Sequence, residues 1–122
     1  MKIHESAEDY LEKILMLREQ KGSVRSIDIA VAMGFSKPSV SIAMKNLREN
    51  GYISVDADGF ITLEEPGLEI ARRIYDRHRK LTAFFVALGV DPDIAAHDAC
   101  KIEHDLSEET YSKMIAFAEQ YK

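Results

Sequence analysis

Residues 26–50 read SIDIAVAMGFSKPSVSIAMKNLREN, and this stretch predicts two short helices on either side of a three-residue turn. Ser26 is placed to cap the first helix, and Gly34 ends it after residue 33. Ser36 is placed to cap a second helix that continues to about residue 50, with Pro38 in its first turn, where the missing N–H group is tolerated. This order of helix, short turn and helix is typical of a helix-turn-helix.

The second helix of this pair has two faces of opposite character. Val40, Met44 and Leu47 recur at helical spacing, which predicts that they face the protein interior. The remaining face carries small, polar and basic side chains, as a helix that enters a DNA groove requires. The candidate DNA contacts are Arg25, Lys37, Lys45 and Arg48 for phosphates, Pro38, Ser39, Ser41 and Ile42 for base edges, and Ser36 at the start of the helix.

Two β-prone runs follow the helix-turn-helix, at residues 52–55 and 60–63, and residues 56–59 (DADG) join them. An Asp-Gly pair before a second strand is a strong hairpin signal, because glycine accepts the positive φ that the turn requires. A two-stranded hairpin in this place is a wing. The expected fold class is therefore mainly α, with a winged helix-turn-helix and a two-stranded wing.

The rest of the chain predicts further helices over residues 5–21, 66–88 and 91–106, and a last helix from residue 107. Along the helix over 66–88, apolar residues recur at steps of three and four and form one apolar seam. His78 is the only polar residue in this seam. We expect a DNA-binding domain over residues 1–65 and a helical domain over residues 66–122. The seam consists of Ala71, Ile74, His78, Leu81, Phe85 and Leu88.

The composition limits the classes of function. A net charge of -5 argues against a protein that binds nucleic acid over its whole surface, although residues 23–50 carry four basic and two acidic side chains. The longest uncharged apolar runs, at residues 29–35 and 83–90, are shorter than the roughly 20 residues that a membrane span needs. No apolar signal segment begins the sequence. We therefore expect a cytoplasmic protein without membrane association.

Residues 97–104 (HDACKIEH) place four potential metal ligands within two helical turns. On a helix, Cys100, Glu103 and His104 fall within about 100° of arc, and His97 borders the same face. Thiolate, carboxylate and imidazole together suit a borderline transition metal. Taken alone, the set is explained equally well by solvated surface residues.

Two features elsewhere in the sequence add to this cluster. His78 interrupts an apolar seam, and Asp9 with Glu12 places two carboxylates at i and i+3 on the first helix. Each has an ordinary explanation when considered alone: a hydrogen-bonded core histidine in one case, and a solvated helix face in the other. Their joint presence with the 97–104 cluster favours a common metal site.

The chain resembles the DtxR/MntR family of metal-dependent repressors over nearly its whole length. Its shortness is similar to the two-domain, manganese-regulator branch of that family. Any single shared segment would be weak support, whereas six in order at the family's spacing are specific. The segments are residues 8–12 (EDYLE) with Ile14 and 16–17 (ML), 28–30 (DIA), 36–41 (SKPSVS), 77–81 (RHRKL), 88–90 (LGV), and 100–104 (CKIEH) running into 106–107 (LS).

The resemblance implies a winged helix joined to a helical dimerisation domain, with a regulatory metal site. It implies a repressor, and not an enzyme, that binds palindromic operator DNA as a homodimer when Mn(II) or Fe(II) is bound. Metal-uptake genes would be its targets. The metal ligands that the resemblance implies are Asp9, Glu12, His78, Cys100, Glu103 and His104.

Cys100 departs from the manganese-regulator pattern, which has a glutamate at this position. A thiolate is softer than a carboxylate and shifts preference toward Fe(II), Co(II), Zn(II) or Ni(II). Losing a bridging carboxylate also favours one full metal site over a two-metal cluster. His97 and Asp98 are candidates for a second site or for the protein surface.

Three alternatives remain open at the level of the sequence. A winged-helix regulator gated by oxidation of Cys100 would respond to peroxide and not to a chelator. A metal-binding winged helix that recruits protein partners would bind metal but no DNA. A metal-dependent hydrolase would use Asp9, Glu12, Glu103 and His104, but the sequence has no evident nucleophile, substrate pocket or glycine-rich phosphate loop.

Overall fold

The computed structural model describes residues 5–120, and the elements below are those of that part of the chain. They are mainly helical, with one two-stranded antiparallel sheet, so the expected fold class is confirmed. The chain divides into two compact units, Met1–Arg73 and Ile74–Lys122. The elements are α1 (Glu5–Lys21), α2 (Ser26–Met33), α3 (Lys37–Glu49), β1 (Ile53–Val55), β2 (Ile61–Leu63), α4 (Glu65–Ala87), α5 (Pro92–Ile102) and α6 (Glu108–Gln120).

The helix-turn-helix consists of α2 and α3. Ser26 is the first residue of α2 and not its cap, so that prediction is wrong; Arg25 occupies the cap position with an extended backbone. The reason is Asp28, whose Oδ2 accepts the backbone N–H of Arg25 at 2.9 Å. A hydrogen bond from Lys21 at 2.6 Å, followed by the one from Arg25, lowers the pKa of the Asp28 carboxyl.

The start and the buried face of α3 follow the prediction. The Oγ of Ser36 accepts the backbone N–H of Ser39 at 3.3 Å, which caps the helix. Val40, Met44 and Leu47 are buried, at 0%, 3% and 5% exposure. The opposite face of α3 is therefore the one presented outward.

The wing is β1 paired with β2, and each strand is one residue shorter at its start than predicted. In the connecting turn, Oδ1 of Asp56 accepts the backbone N–H groups of Asp58 and Phe60, both at 2.9 Å. Gly59 has a φ of +86°, as the Asp-Gly signal predicted. The N–H of Ile61 donates to the carbonyl of Val24 at 2.8 Å, which attaches the wing to the segment before α2.

The first turn of α4 packs closely on the start of the wing. A Cβ atom added to Gly67 would lie 2.1 Å from the carbonyl oxygen of Tyr52, so only glycine fits this position. Farther along α4, Arg73 forms an ion pair with Glu8 of α1 at 3.0 Å. The beginning of α4 is thus part of the first unit.

The second unit has a small apolar core. Leu81, Ala99 and Tyr111 are buried together, and partly buried side chains from α4, from α6 and from the chain between α5 and α6 surround them. The predicted seam of α4 does not reach Leu88, which is 66% exposed, because the helix ends at Ala87 and the seam ends with it. Within residues 5–120, no helix combines the length and the apolar character that a membrane span needs.

Candidate metal centre and nucleic-acid interface

Three of the predicted metal ligands meet in the second unit. Glu103 is completely buried, and its carboxylate lies between two imidazoles. The Nδ1 of His78 is 3.1 Å from Oε2 of Glu103, and the Nε2 of His104 is 3.5 Å from Oε1. This part of the predicted ligand set is therefore assembled by α4 and the end of α5.

Glu103 reaches the interior because of its place on α5. Its backbone N–H still donates to the carbonyl of Ala99 at 3.0 Å, so Glu103 continues the helical line of Ala95 and Ala99. Both alanines are completely buried. The next residue of the same face is therefore directed inward as well.

The donor set fits a metal ion. Within the part of the chain that the structure describes, Oε1 of Glu103 is buried without a hydrogen bond, although Nε2 of His104 lies 3.5 Å from it. An ionised carboxylate in this state costs several kcal/mol unless a cation compensates it. One carboxylate and two imidazoles are donors that a divalent transition metal accepts.

Cys100 differs from Glu103 in its surroundings. Helical spacing predicts both residues and His104 on one helical face, but Cys100 is exposed whereas Glu103 is buried. The predicted helix was also too long: α5 ends at Ile102 instead of near residue 106, and a turn follows in which the N–H of Asp105 donates to the carbonyl of Ile102 at 3.0 Å. The assignment of Cys100 as a ligand stays a prediction.

His97 and Asp98 are exposed on α5. Their exposure is compatible with both predicted roles, a second metal site or the protein surface, so both roles stay predictions.

In the first unit, Asp9 and Glu12 occupy neighbouring turns of α1, as their spacing predicted. Glu12 is only 7% exposed and Asp9 is half-buried. A solvated helix face is therefore the wrong explanation for Glu12. Carboxylates are rarely buried to this degree unless they are paired or bind a metal.

Arg77 is the important residue that the sequence analysis did not identify. It is only 6% exposed, and its Nη1 donates to the carbonyls of Glu103 at 2.9 Å and Leu106 at 3.0 Å. Its Nη2 donates to Oε2 of Glu108 at 2.8 Å. The spacing of Ile74, Arg77 and Leu81 was the available signal, since it places the arginine on the buried face of α4.

The predicted DNA contacts all lie on exposed positions of the first unit. A shallow groove beside α3 is lined by Ser26, Ser41, Lys45, Arg48 and Val55 among others, and so lies between the helix-turn-helix and the wing. Arg25 stacks on the ring of Phe60 at 4.4 Å from the centroid, which holds its guanidinium beside the wing. The exposed residues are Arg25, Ser36, Lys37, Pro38, Ser39, Ser41, Ile42, Lys45 and Arg48.

Two family profiles together match nearly the whole chain. The family described as "Iron dependent repressor, N-terminal DNA binding domain" matches residues 2–59. The family described as "Iron dependent repressor, metal binding and dimerisation domain" matches residues 64–122. The helix-turn-helix thus lies in the region described as DNA binding, and Glu103 with its two neighbouring imidazoles lies in the region described as metal binding.

Similar proteins agree with the profiles. An uncharacterized HTH-type transcriptional regulator of Methanocaldococcus jannaschii is 35% identical over 97% of this chain and 96% of its own length. The transcriptional regulator MntR of Salmonella typhimurium is 34% identical over 96% of this chain and 74% of its own length.

Solved structures share the fold. A manganese-dependent transcriptional repressor in complex with manganese has a TM-score of 0.84 at 29% identity, over 93% of this chain and 52% of that chain. The manganese regulator SloR has a TM-score of 0.80 at 27% identity, over 98% of this chain and 55% of that chain. This chain spans about half the length of these structures.

The fold and the site therefore define a metal-dependent transcriptional regulator with a winged helix-turn-helix. The chain belongs to the DtxR/MntR family of metal-dependent repressors.

Proposed function

We propose that this protein is a repressor that binds palindromic operator DNA as a homodimer when Mn(II) or Fe(II) occupies its regulatory site. Metal-uptake genes are the proposed targets, and the cytoplasm is the proposed location. The observation that carries the proposal is the buried carboxylate of Glu103, with the imidazoles of His78 and His104 on its two sides. A divalent cation would compensate the charge of such a carboxylate.

The proposed ligands divide between the two units. His78, Glu103 and His104 have the geometry described above, and the burial of Glu12 supports its inclusion. Bound metal would supply positive charge that offsets the carboxylates. In this proposal, the charge compensation by the metal couples metal binding to DNA binding. The complete proposed set is Asp9, Glu12, His78, Cys100, Glu103 and His104.

The proposed DNA interface is the exposed face of α3 with Arg25 and the wing beside it. In a homodimer, two such helices would enter successive major grooves, about 34 Å apart, and so would require a palindromic site. Lys37 and Lys45 would contact phosphates. Ile42, which is 63% exposed, offers only an apolar contact and would therefore read a thymine methyl group or pack against the groove.

The proposed metal follows from the relatives and from the donors. Two of the similar solved proteins are described as manganese regulators, which favours Mn(II). A Cys100 thiolate would favour Fe(II), and it would let Co(II), Zn(II) or Ni(II) bind in vitro. Because all of these ions accept imidazole and carboxylate donors, availability in the cell would decide which one is bound.

A DNA-binding titration against a panel of metals tests the proposal. Mn(II) or Fe(II) should tighten binding to operator DNA by about 5- to 150-fold, the usual range of such coupling. His78→Ala should remove the enhancement while leaving the metal-free affinity unchanged. Gln20→Ala is the control because Gln20 is an exposed residue of α1 outside every proposed site, and this variant should respond to metal as the wild type does.

Two results would contradict the proposal. Equal DNA affinity with and without Mn(II), Fe(II) and Co(II) would remove the metal mechanism. A response to peroxide that Cys100→Ser abolishes and a chelator leaves intact would instead support regulation by cysteine oxidation. The hydrolase alternative finds no support in the matched family, whose members are transcriptional repressors.

A further inference from the structure

The turn after α5 carries Glu103 and His104, two of the proposed ligands. The helix ends at Ile102, so the backbone of the segment that follows is not paired by a helical ladder. Two carbonyls of this segment, those of Glu103 and Leu106, accept hydrogen bonds from Nη1 of Arg77 at 2.9 and 3.0 Å. A side chain of α4 thus pairs with the backbone of the ligand-bearing turn.

The same guanidinium also contacts α6. Its Nη2 donates to Oε2 of Glu108 at 2.8 Å, and its plane lies over the ring of Tyr111 at 4.6 Å from the centroid. Arg77 itself is 6% exposed. A planar guanidinium makes several such bonds in fixed directions, which the point charge of a lysine ammonium does not.

Arg77 and His78 are neighbours on α4 and contact the same ligand residue. The imidazole of His78 is 3.1 Å from the carboxylate of Glu103, and the guanidinium of Arg77 binds the backbone carbonyl of Glu103. Consecutive residues of α4 therefore contact the side-chain carboxylate and the backbone carbonyl of Glu103. Metal affinity depends steeply on how well such outer contacts orient the ligands.

We propose that Arg77 is a positioning residue of the metal site, which sets metal affinity by fixing the turn that carries Glu103 and His104. The inference rests on the proposed function, since it requires that this site binds metal. Glu108 assists by compensating the arginine charge. Arg77 does not touch the metal in this proposal.

A Co(II) titration of the full chain, followed by visible absorption, tests the role. Arg77→Lys retains the positive charge but loses the planar guanidinium with its several N–H donors. It should weaken Co(II) binding by about tenfold or more. Its cobalt spectrum should also change in intensity, because the ligand geometry changes. Arg79→Lys is the matched control: Arg79 is exposed on the same helix and stacks on Tyr75, so its affinity and spectrum should equal those of the wild type.

An Arg77→Lys variant that is folded and matches the wild type in both affinity and spectrum would overturn the inference. If that variant does not fold, Glu108→Gln decides, because the Glu108 side chain is 75% exposed and the substitution is tolerated on the surface. It should weaken Co(II) binding by about threefold, as expected for the loss of an exposed ion pair. An unchanged affinity would overturn the inference.

The two proposals fail in different ways. A wild-type protein that binds no Co(II), Mn(II) or Fe(II) would overturn the proposed function, and this inference with it. A wild-type protein that binds metal while Arg77→Lys and Glu108→Gln bind it equally well would overturn only the role of Arg77.

Discussion

Glu103 is the residue whose chemistry is least compatible with a purely structural role. Ordinary helix geometry directs it inward after Ala95 and Ala99, both completely buried. An apolar side chain loses no strong hydration in such a place, whereas a carboxylate does. The two imidazoles that border Glu103 do not by themselves satisfy Oε1. If Glu103 is a metal ligand, as proposed, its burial would lower the stability of the metal-free protein.

Glu103→Gln tests this interpretation. Removing the buried charge should raise the free energy of unfolding of the metal-free protein by about 1 kcal/mol and abolish any stabilisation by metal. Urea denaturation with and without a chelator measures both effects. Glu109→Gln is the control on the exposed first turn of α6 and should change the stability by less than about 0.5 kcal/mol. A metal-free Glu103→Gln protein that is clearly less stable than the wild type would show that the carboxylate is satisfied without a cation.

Among the elements, α3 shows how local sequence prepares an interface. Ser36 and Pro38 start the helix, and three apolar residues bury one face of it. The opposite face is left with small and basic side chains and Ile42, and part of this face lines the groove beside the wing. Since phosphate contacts release counterions from DNA, basic residues on this face should determine the salt dependence of binding.

Lys45→Ala should weaken binding to specific and nonspecific DNA by similar factors, because a phosphate contact carries no sequence information. The slope of log affinity against log salt should become shallower by about 1. Fluorescence anisotropy over a series of salt concentrations measures it. Lys113→Ala, an exposed lysine of α6, makes the same change in net charge and should leave the slope as it is. An unchanged slope for Lys45→Ala would remove this residue from the interface.

The whole molecule combines an acidic composition with a DNA-binding role. Its net charge is -5, so bound cations would reduce the overall repulsion between the protein and DNA. The two compact units share α4, which begins in the first and carries Arg77 and His78 in the second. Metal bound by the proposed ligands would stabilise the folded chain by mass action.

Thermal unfolding measures this stabilisation. Mn(II) or Co(II) at one hundred times its dissociation constant should add about 2.7 kcal/mol, which corresponds to a rise in Tm of roughly 10 °C for a chain of this size. Mg(II) at the same concentration is the control, since it prefers oxygen ligands and retains its water. An equal rise with Mg(II) would show that the effect is general charge screening and not the proposed site.

Part of the candidate site could be predicted from the sequence. His78, Glu103 and His104 were predicted as ligands, and the structure brings these three side chains together, while their role as ligands stays a prediction. The burial of Arg77 was not anticipated, because a charged run at residues 76–80 is ordinarily a solvated face. The sequence left open whether Cys100 is exposed or buried, because helical spacing gives the angle between residues but not which side of the helix faces the core.

The sequence by itself determined the order of helices, the helix-turn-helix and the wing, because caps, glycines at positive φ and apolar periodicity act within a few residues of one another. Only the tertiary structure decided which side chains become buried. The inward position of Glu103, the guanidinium that Arg77 places on the turn after α5, and the exposure of Leu88 all depend on which elements pack together. Burial is a property of segments distant along the chain, so no local pattern specifies it.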